Sequence, residues 1–155
     1  MKLKRFALGD GSNPSCNPSD NKYCGGNFLG IQNNLAYIQN LGATAIWISP
    51  IVKNTDNGYH GYWAQDLYTI NPNFGTEQDL VNLVTACHRL DIWVMVDVVG
   101  NHMGPVGTDY SSIVPFNSTD HYHDYCVIQQ DDYLNNQWNV EVNERSFYAQ
   151  SLIIL

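Results

Sequence analysis

One stretch constrains the fold more than any other: Ile92-Trp93-Val94-Met95-Val96-Asp97-Val98-Val99-Gly100-Asn101-His102. Its first eight residues are almost all β-branched, aromatic or otherwise apolar, with no in/out alternation. Such a run predicts a strand covered on both faces, as in a parallel sheet flanked by helices. Asp97 breaks the pattern. An unpaired carboxylate in an apolar layer costs several kcal/mol or must take up a proton, so Asp97 requires a cation or several donors. Just beyond it, Asn101 offers an amide oxygen and His102 an imidazole, where strand gives way to loop. In parallel α/β folds that edge is where sites are built.

The preceding chain supplies the rest of such a unit. Residues 9 to 27 are rich in Gly, Asn, Pro and Ser and form a loop, with Cys16 and Cys24 bracketing its centre. Ile31, Leu35, Ile38 and Leu41 recur at four- and three-residue steps, predicting one helix that Gly42 ends in a left-handed conformation. Thr44-Ala45-Ile46-Trp47-Ile48 reads as a short buried strand. From Ile51 to Phe74 aromatics and turn residues follow without period, which predicts a long functional loop. Thr76-Glu77-Gln78-Asp79 starts a helix whose buried stripe is Leu80, Leu83, Val84 and Cys87. Strand, helix, strand in this order is a βαβ unit with a right-handed crossover. Two parallel strands cannot stand alone, so further strands are expected on each side, and none is legible before residue 9 or after Gly104.

A length of 155 residues suits one core, and the formal charge of -8 argues against nucleic acid as a partner. Only seven Lys and Arg are present, three of them in the first five residues. Ten Tyr and four Trp favour a ligand met by flat amphipathic rings, although any one ring serves equally well as core. No stretch reaches the roughly 20 apolar residues needed to span a membrane. Met1 to Leu8 is too short in its apolar part to read as a signal peptide. The Cys16/Cys24 loop and the Asn117-Ser118-Thr119 sequon nonetheless point to an oxidising, secretory setting.

Three motifs in order carry a family resemblance. Asp97-Val98-Val99-Gly100-Asn101-His102 is similar to the DVVxNH region at the end of the third barrel strand of fungal-type secreted α-amylases. Tyr59-His60-Gly61-Tyr62-Trp63 is similar to the YHGYW stretch after their second strand. Cys16-Asn17-Pro18-Ser19-Asp20-Asn21-Lys22-Tyr23-Cys24-Gly25-Gly26 resembles their first disulfide loop. The resemblance runs from about Phe6 to Glu141 and covers only the opening part of such an enzyme. It implies an α/β fold, a partial (β/α)8 TIM barrel spanning the region of strands 2 and 3. Residues 1–104 would belong to the barrel, 105–145 to the start of an inserted, loop-rich calcium-binding small domain, and 146–155 to a divergent tail.

The implied activity is hydrolysis of internal α-1,4-glucosidic bonds in starch or glycogen, retaining in stereochemistry and dependent on calcium. Carried over residue by residue, the substrate-binding set is Tyr62, Trp63, His102, His60 and Asn21. Tyr62 would stack under a glucose ring, Trp63 line the glycone side, and His102 hydrogen-bond the glucose at the cleavage point. Asn21 stands where the family often carries Gln. Asn101 and Glu141 would be calcium ligands, since calcium prefers hard oxygen donors. The pair Cys16 and Cys24 would form a disulfide, with Cys87 a buried thiol and Cys126 left without its family partner. Asp97 would pair with a basic group from a later strand. Localisation would be extracellular, and the intact family is monomeric.

No catalytic residue is assigned. Retaining glycosidases need two carboxylates about 5 Å apart, and none of the fifteen acids lies in a matching motif. The chain is therefore expected to be inactive alone, and a partial barrel is expected to self-associate through its open face and edges. Two other readings remain open: a non-catalytic malto-oligosaccharide-binding remnant, and a metal hydrolase using His102 with His121, His123, Asp120 and Asp124.

Overall fold

The structure, a computed structural model, describes residues 3–13, 15–122 and 150–151. After a helical turn α1 (Leu3–Phe6) come α2 (Phe28–Asn33), α3 (Leu35–Asn40), β1 (Ala45–Ile48), β2 (Val52–Asn54) and β3 (Ala64–Ile70). Then follow α4 (Glu77–His88), β4 (Trp93–Val96), β5 (His102–Met103) and β6 (Gln150–Ser151). Strands β1 and β4 pair in parallel, Ala45 beside Trp93 and Ile48 beside Val96, with α4 in the connection. This is the expected βαβ unit.

The helix expected over Ile31–Leu41 is two helices. Asn34 sits between them with φ −107° and ψ 14°, and its side chain donates to the Gly30 carbonyl at 2.8 Å. That carbonyl is the one the Asn34 amide would bond in a continuous helix, so the side chain replaces the backbone bond and the axis breaks. Ile31, Leu35 and Ile38 are buried as the spacing requires, but Leu41 is 66% exposed. Gly42, at φ +78°, ends α3 in the left-handed region as expected. Asn27 caps α2 by accepting the Gly30 amide at 2.8 Å. A Cβ on Gly30 would collide with the Ala7 carbonyl, so close packing of α2 on the N-terminal segment requires glycine there.

Helix α4 starts on a reciprocal cap. Thr76 Oγ1 accepts from the Asp79 amide at 3.2 Å, while Asp79 Oδ2 accepts from the Thr76 amide at 2.8 Å. Leu83 and Cys87 are fully buried and pack with Phe28, Ile31, Ile46, Ile48, Phe74 and Ile92 in the main core. Leu80 joins at its edge.

Two further expectations need correcting. The run from Ile92 is not covered on both faces: Val94 and Val96 pack on the helices, but Trp93 is 75% and Met95 55% exposed. Trp47 of β1 opens on the same side at 56%. Among the described residues only two strands form this parallel sheet. The strand also stops at Val96 rather than Val99. Secondly, the 51–74 stretch is an antiparallel hairpin of β2 and β3, with register shifts after Val52 and Lys53. Those irregularities erase the two-residue period from which a hairpin is read.

A smaller core joins this hairpin to the chain beyond β4: Ala64, Met103, Ile113 and Tyr122, flanked by Val52, Leu67, Val106, Tyr110 and Phe116. The segment around Val114 is tied to β3 by the Val114 amide on the Gln65 carbonyl at 2.8 Å and the Leu67 amide on the Val114 carbonyl at 3.0 Å. Tyr122 stacks on Tyr110, 4.1 Å between centroids. Burial, with the Tyr110 phenol beside it, pushes the Tyr122 phenol up to about 12.

Candidate functional site

The parallel strands end side by side, and the Asp97 amide still bonds the Ile48 carbonyl at 2.9 Å. Asp97 therefore emerges at the C-terminal edge of the sheet, where the chain leaves regular pairing. The loop between β2 and β3 folds back over that edge. Its far end is held by the Trp63 amide on Asn54 Oδ1 at 2.7 Å and the Thr55 amide on the Trp63 carbonyl at 2.9 Å. Gly61, at φ +92°, makes a turn that a side chain would strain, with Pro50 directly beside it.

This path brings Tyr62 onto the strand tip. Its hydroxyl donates to Asp97 Oδ2 at 2.9 Å, and its carbonyl meets His102 Nε2 at 2.9 Å. Asp97 thus finds a neutral phenol donor among the described residues. The hydrogen bond to Asp97 raises the Tyr62 phenol above its ordinary value, helped by burial and the carboxylate charge.

The bonds at His102 define its proton. A carbonyl only accepts, so Nε2 carries the hydrogen toward Tyr62, and Nδ1 accepts from Asn101 Nδ2 at 3.3 Å. The Asn101 amide nitrogen is thereby turned to the imidazole. Among the described residues its Oδ1 accepts no hydrogen bond. His60 lies in the same cluster: its ring runs nearly parallel to that of Tyr62 at 5.9 Å and edge-on to Trp63 at 4.7 Å. Its Nδ1 accepts the Tyr62 amide at 3.0 Å. Tyr62 keeps 42% of its surface exposed, so one ring at the strand tip faces solvent while fixed at three points.

Of the residues singled out from sequence, Tyr62, Trp63, His60, His102 and Asn101 are therefore contiguous. Asn21 reaches the cluster through Tyr59, whose hydroxyl donates to Asn21 Oδ1 at 2.7 Å. Cys16 and Cys24 form the disulfide of that loop, and Cys87 is a buried free thiol raised by desolvation. Glu141, Cys126, His123 and Asp124 lie outside the described residues. His121 Nδ1 accepts from the Ser118 amide at 3.2 Å in a helical turn over Thr119–His121. Among the described residues no three His, Cys, Asp or Glu are grouped to hold a metal, while two members of the metal-hydrolase set, His123 and Asp124, lie outside those residues. Nor is any described helix long and apolar enough to cross a membrane.

Sequence reasoning missed Asn71, Tyr23 and Tyr59. Asn71 is 2% exposed and donates to the Tyr23 hydroxyl at 2.7 Å. Its Asn-Pro-Asn setting reads only as a turn, and no local signal distinguishes it. A cleft of about 320 Å³ opens beside Asp97, walled by Pro50, Val52, Leu67, Val96 and Val98.

The family model described as alpha amylase, catalytic domain, matches residues 3–152. Alpha-amylase mde5 of Schizosaccharomyces pombe is 54% identical over 137 residues, covering 82% of this chain and 26% of the relative. An alpha-amylase of Saccharomycopsis fibuligera is 48% identical over 139 residues, covering 83% and 28%. The solved alpha-amylase of Malbranchea cinnamomea superposes with a TM-score of 0.84 at 42% identity, covering 98% of this chain and 34% of that one. The chain spans about a quarter of the length of the curated relatives it matches. Its parallel unit, strand-tip cluster and family match together make this chain a member of the alpha-amylase family, a segment of the (β/α)8 barrel catalytic domain.

Proposed function

We propose that this chain supplies one wall of the glucan cleft in an α-amylase that cleaves internal α-1,4-glucosidic bonds of starch or glycogen. Alone it binds malto-oligosaccharide without cleaving it. The observation that carries the reading is the exposed Tyr62 ring, pinned through Asp97 and His102 at the C-terminal edge of β4. An aromatic face covers the apolar face of a pyranose, and imidazole and amide groups beside it take up the hydroxyls. Tyr62, Trp63, His60 and His102 contact sugar in this reading, with the Asn21 amide nitrogen reaching a hydroxyl from the disulfide loop.

Inactivity follows from the missing carboxylates. Binding residues remote from the reacting atoms do not replace a nucleophile and an acid/base, because rate comes from groups that act on the transition state. Calcium is the cofactor of this reading, held by Asn101 Oδ1 together with Glu141. The support is chemical: the Asn101 oxygen is a hard donor left over once its nitrogen turns to His102. Calcium would tie the strand tip to the segment that carries Glu141. The protein is extracellular, in keeping with the Cys16–Cys24 disulfide, and carries a glycan on the exposed Asn117.

The test is direct. Titration calorimetry with maltoheptaose in the presence of calcium detects binding, while soluble starch yields no reducing sugar above a no-protein control. Absence of heat at millimolar sugar rejects the binding role, and clear turnover rejects the inactivity.

A further inference from the structure

We propose that the Cys16–Cys24 loop, keyed by the buried Asn71, is a brace that holds the near end of the 59–63 loop in its sugar-binding conformation. The inference rests on the glucan reading above and adds to it two positioning residues, Asn71 and Tyr23, and a second role for Asn21, whose Oδ1 holds Tyr59.

The near end of the aromatic loop is held partly from within and partly from outside. The Gly58 amide bonds the Thr55 carbonyl at 3.0 Å and the Gly61 amide bonds the Gly58 carbonyl at 2.9 Å, both within the loop. Two external supports come from the disulfide loop. Tyr23 donates to the Gly58 carbonyl at 3.2 Å, and Asn21 Oδ1 accepts the Tyr59 hydroxyl at 2.7 Å. These bonds flank a single peptide link, so together they fix both the position and the direction of the chain entering His60 and Tyr62.

The brace is itself built to be rigid. Asn17 caps a helical turn over Pro18–Asp20 by accepting the Ser19 amide at 3.0 Å. Asn21 closes that turn at φ +53°, a left-handed conformation that Asn tolerates better than most residues. The disulfide closes the segment on itself. Tyr23 then packs edge-on against Phe74, 5.7 Å between centroids. Its hydroxyl accepts from Asn71 Nδ2 at 2.7 Å while donating onward to Gly58. Asn71 in turn has no freedom. Its amide bonds the Ile51 carbonyl at 2.8 Å, and its Oδ1 accepts from the Asn73 amide and side chain, both at 3.0 Å. A buried polar side chain with every group engaged defines a unique geometry. Core, disulfide loop and aromatic loop are thereby linked in series. Ordering the loop before sugar arrives lowers the entropic cost of binding.

Tyr23→Phe keeps the ring and removes both hydrogen bonds. Asn21→Gly keeps the left-handed backbone and removes the acceptor, and Tyr59→Phe breaks the same bond from the other side. Tyr59→Phe is expected to weaken maltoheptaose binding roughly fivefold, the worth of one net hydrogen bond, and Tyr23→Phe, which removes two bonds, and Asn21→Gly, which also removes the amide nitrogen from the sugar, by at least as much. The Asn21→Gly, Tyr59→Phe double variant is expected to lose no more than Asn21→Gly alone. Hydrogen exchange supplies a readout that does not need sugar. Amides of Gly58, Gly61 and Tyr62 exchange faster in the Tyr23→Phe and Asn21→Gly chains, while those of Trp93 and Asp97 in the parallel sheet keep their rates. Additive losses in the double variant, unchanged exchange at 58–62, or equal acceleration in the sheet would each overturn the brace. Failure of the unmodified chain to bind maltoheptaose would refute the glucan reading instead, and the exchange pattern would then decide the brace by itself.

Discussion

At the residue scale the strand-tip cluster depends on Tyr62. Its phenol is the donor that Asp97 receives, and its carbonyl orients His102, so one side chain and its own backbone serve two partners. The backbone contact survives truncation of the hydroxyl. Tyr62→Phe is therefore expected to leave the fold intact and to cost about 0.5 kcal/mol in urea denaturation, the low end for a hydrogen bond because the group is well exposed. The pH dependence has a definite sign. A phenol whose folded-state value is raised adds stability that is fully present below its ordinary value near 10 and is lost as pH rises through the folded one. Stability measured from pH 8 to 11 is expected to fall less steeply for Tyr62→Phe than for the unmodified chain, and parallel curves would reject the coupling. The motifs of the sequence point to Tyr62, His102 and Asn101, but nothing in them reveals that Tyr62 and Asp97 bond each other across 35 residues.

At the element scale, α4 was legible and the α2–α3 pair was not, for reasons that lie in side-chain hydrogen bonding. Thr76 and Asp79 are three residues apart and satisfy each other's backbone, so their effect is complete within one turn. Thr76→Ala is expected to cost about 1 kcal/mol, as loss of a helix cap does, read by urea denaturation at pH 7. Hydrogen bonds from the Thr76 amide and then its hydroxyl hold the Asp79 carboxyl below its usual range. A lowered carboxyl adds stability that is present above its ordinary value near 4 and is lost as pH falls through the folded value. The difference between unmodified and Thr76→Ala chains is accordingly expected to shrink below pH 4. A difference that persists at pH 2.5 would mean that the hydroxyl cap alone carries the effect. At Asn34 the same kind of bond points backward to Gly30 and breaks the helix, although the apolar spacing runs straight through. Periodicity reports which face is buried and carries no record of which backbone bond a side chain replaces.

At the scale of the whole molecule, the parallel unit is half-covered. Helices α2 and α4 bury one face of β1 and β4, while Trp47, Trp93 and Met95 stand exposed on the other, with Val98 beyond the strand end. Such a patch beside open strand edges favours association. The purified chain is expected to sediment as dimers or larger species at micromolar concentration, and a Trp93→Lys, Met95→Lys variant to shift toward monomer. A single monomeric species for the unmodified chain in analytical ultracentrifugation would count against this.

What the sequence determined by itself is local or compositional: the capped helix, the glycine stop after Ile38, two short parallel strands, and motif residues that fall together at one sheet edge. Those follow from free energies exchanged within a few residues and from residue types whose chemistry travels with them. Tertiary structure alone decided that one face of β4 is open, that the 51–74 stretch is an irregular hairpin, and that Asn71, Tyr23 and Asn21 reach the aromatic loop. Each of those depends on contacts between segments tens of residues apart. Register and chain path select such contacts, and a linear pattern holds no information on either.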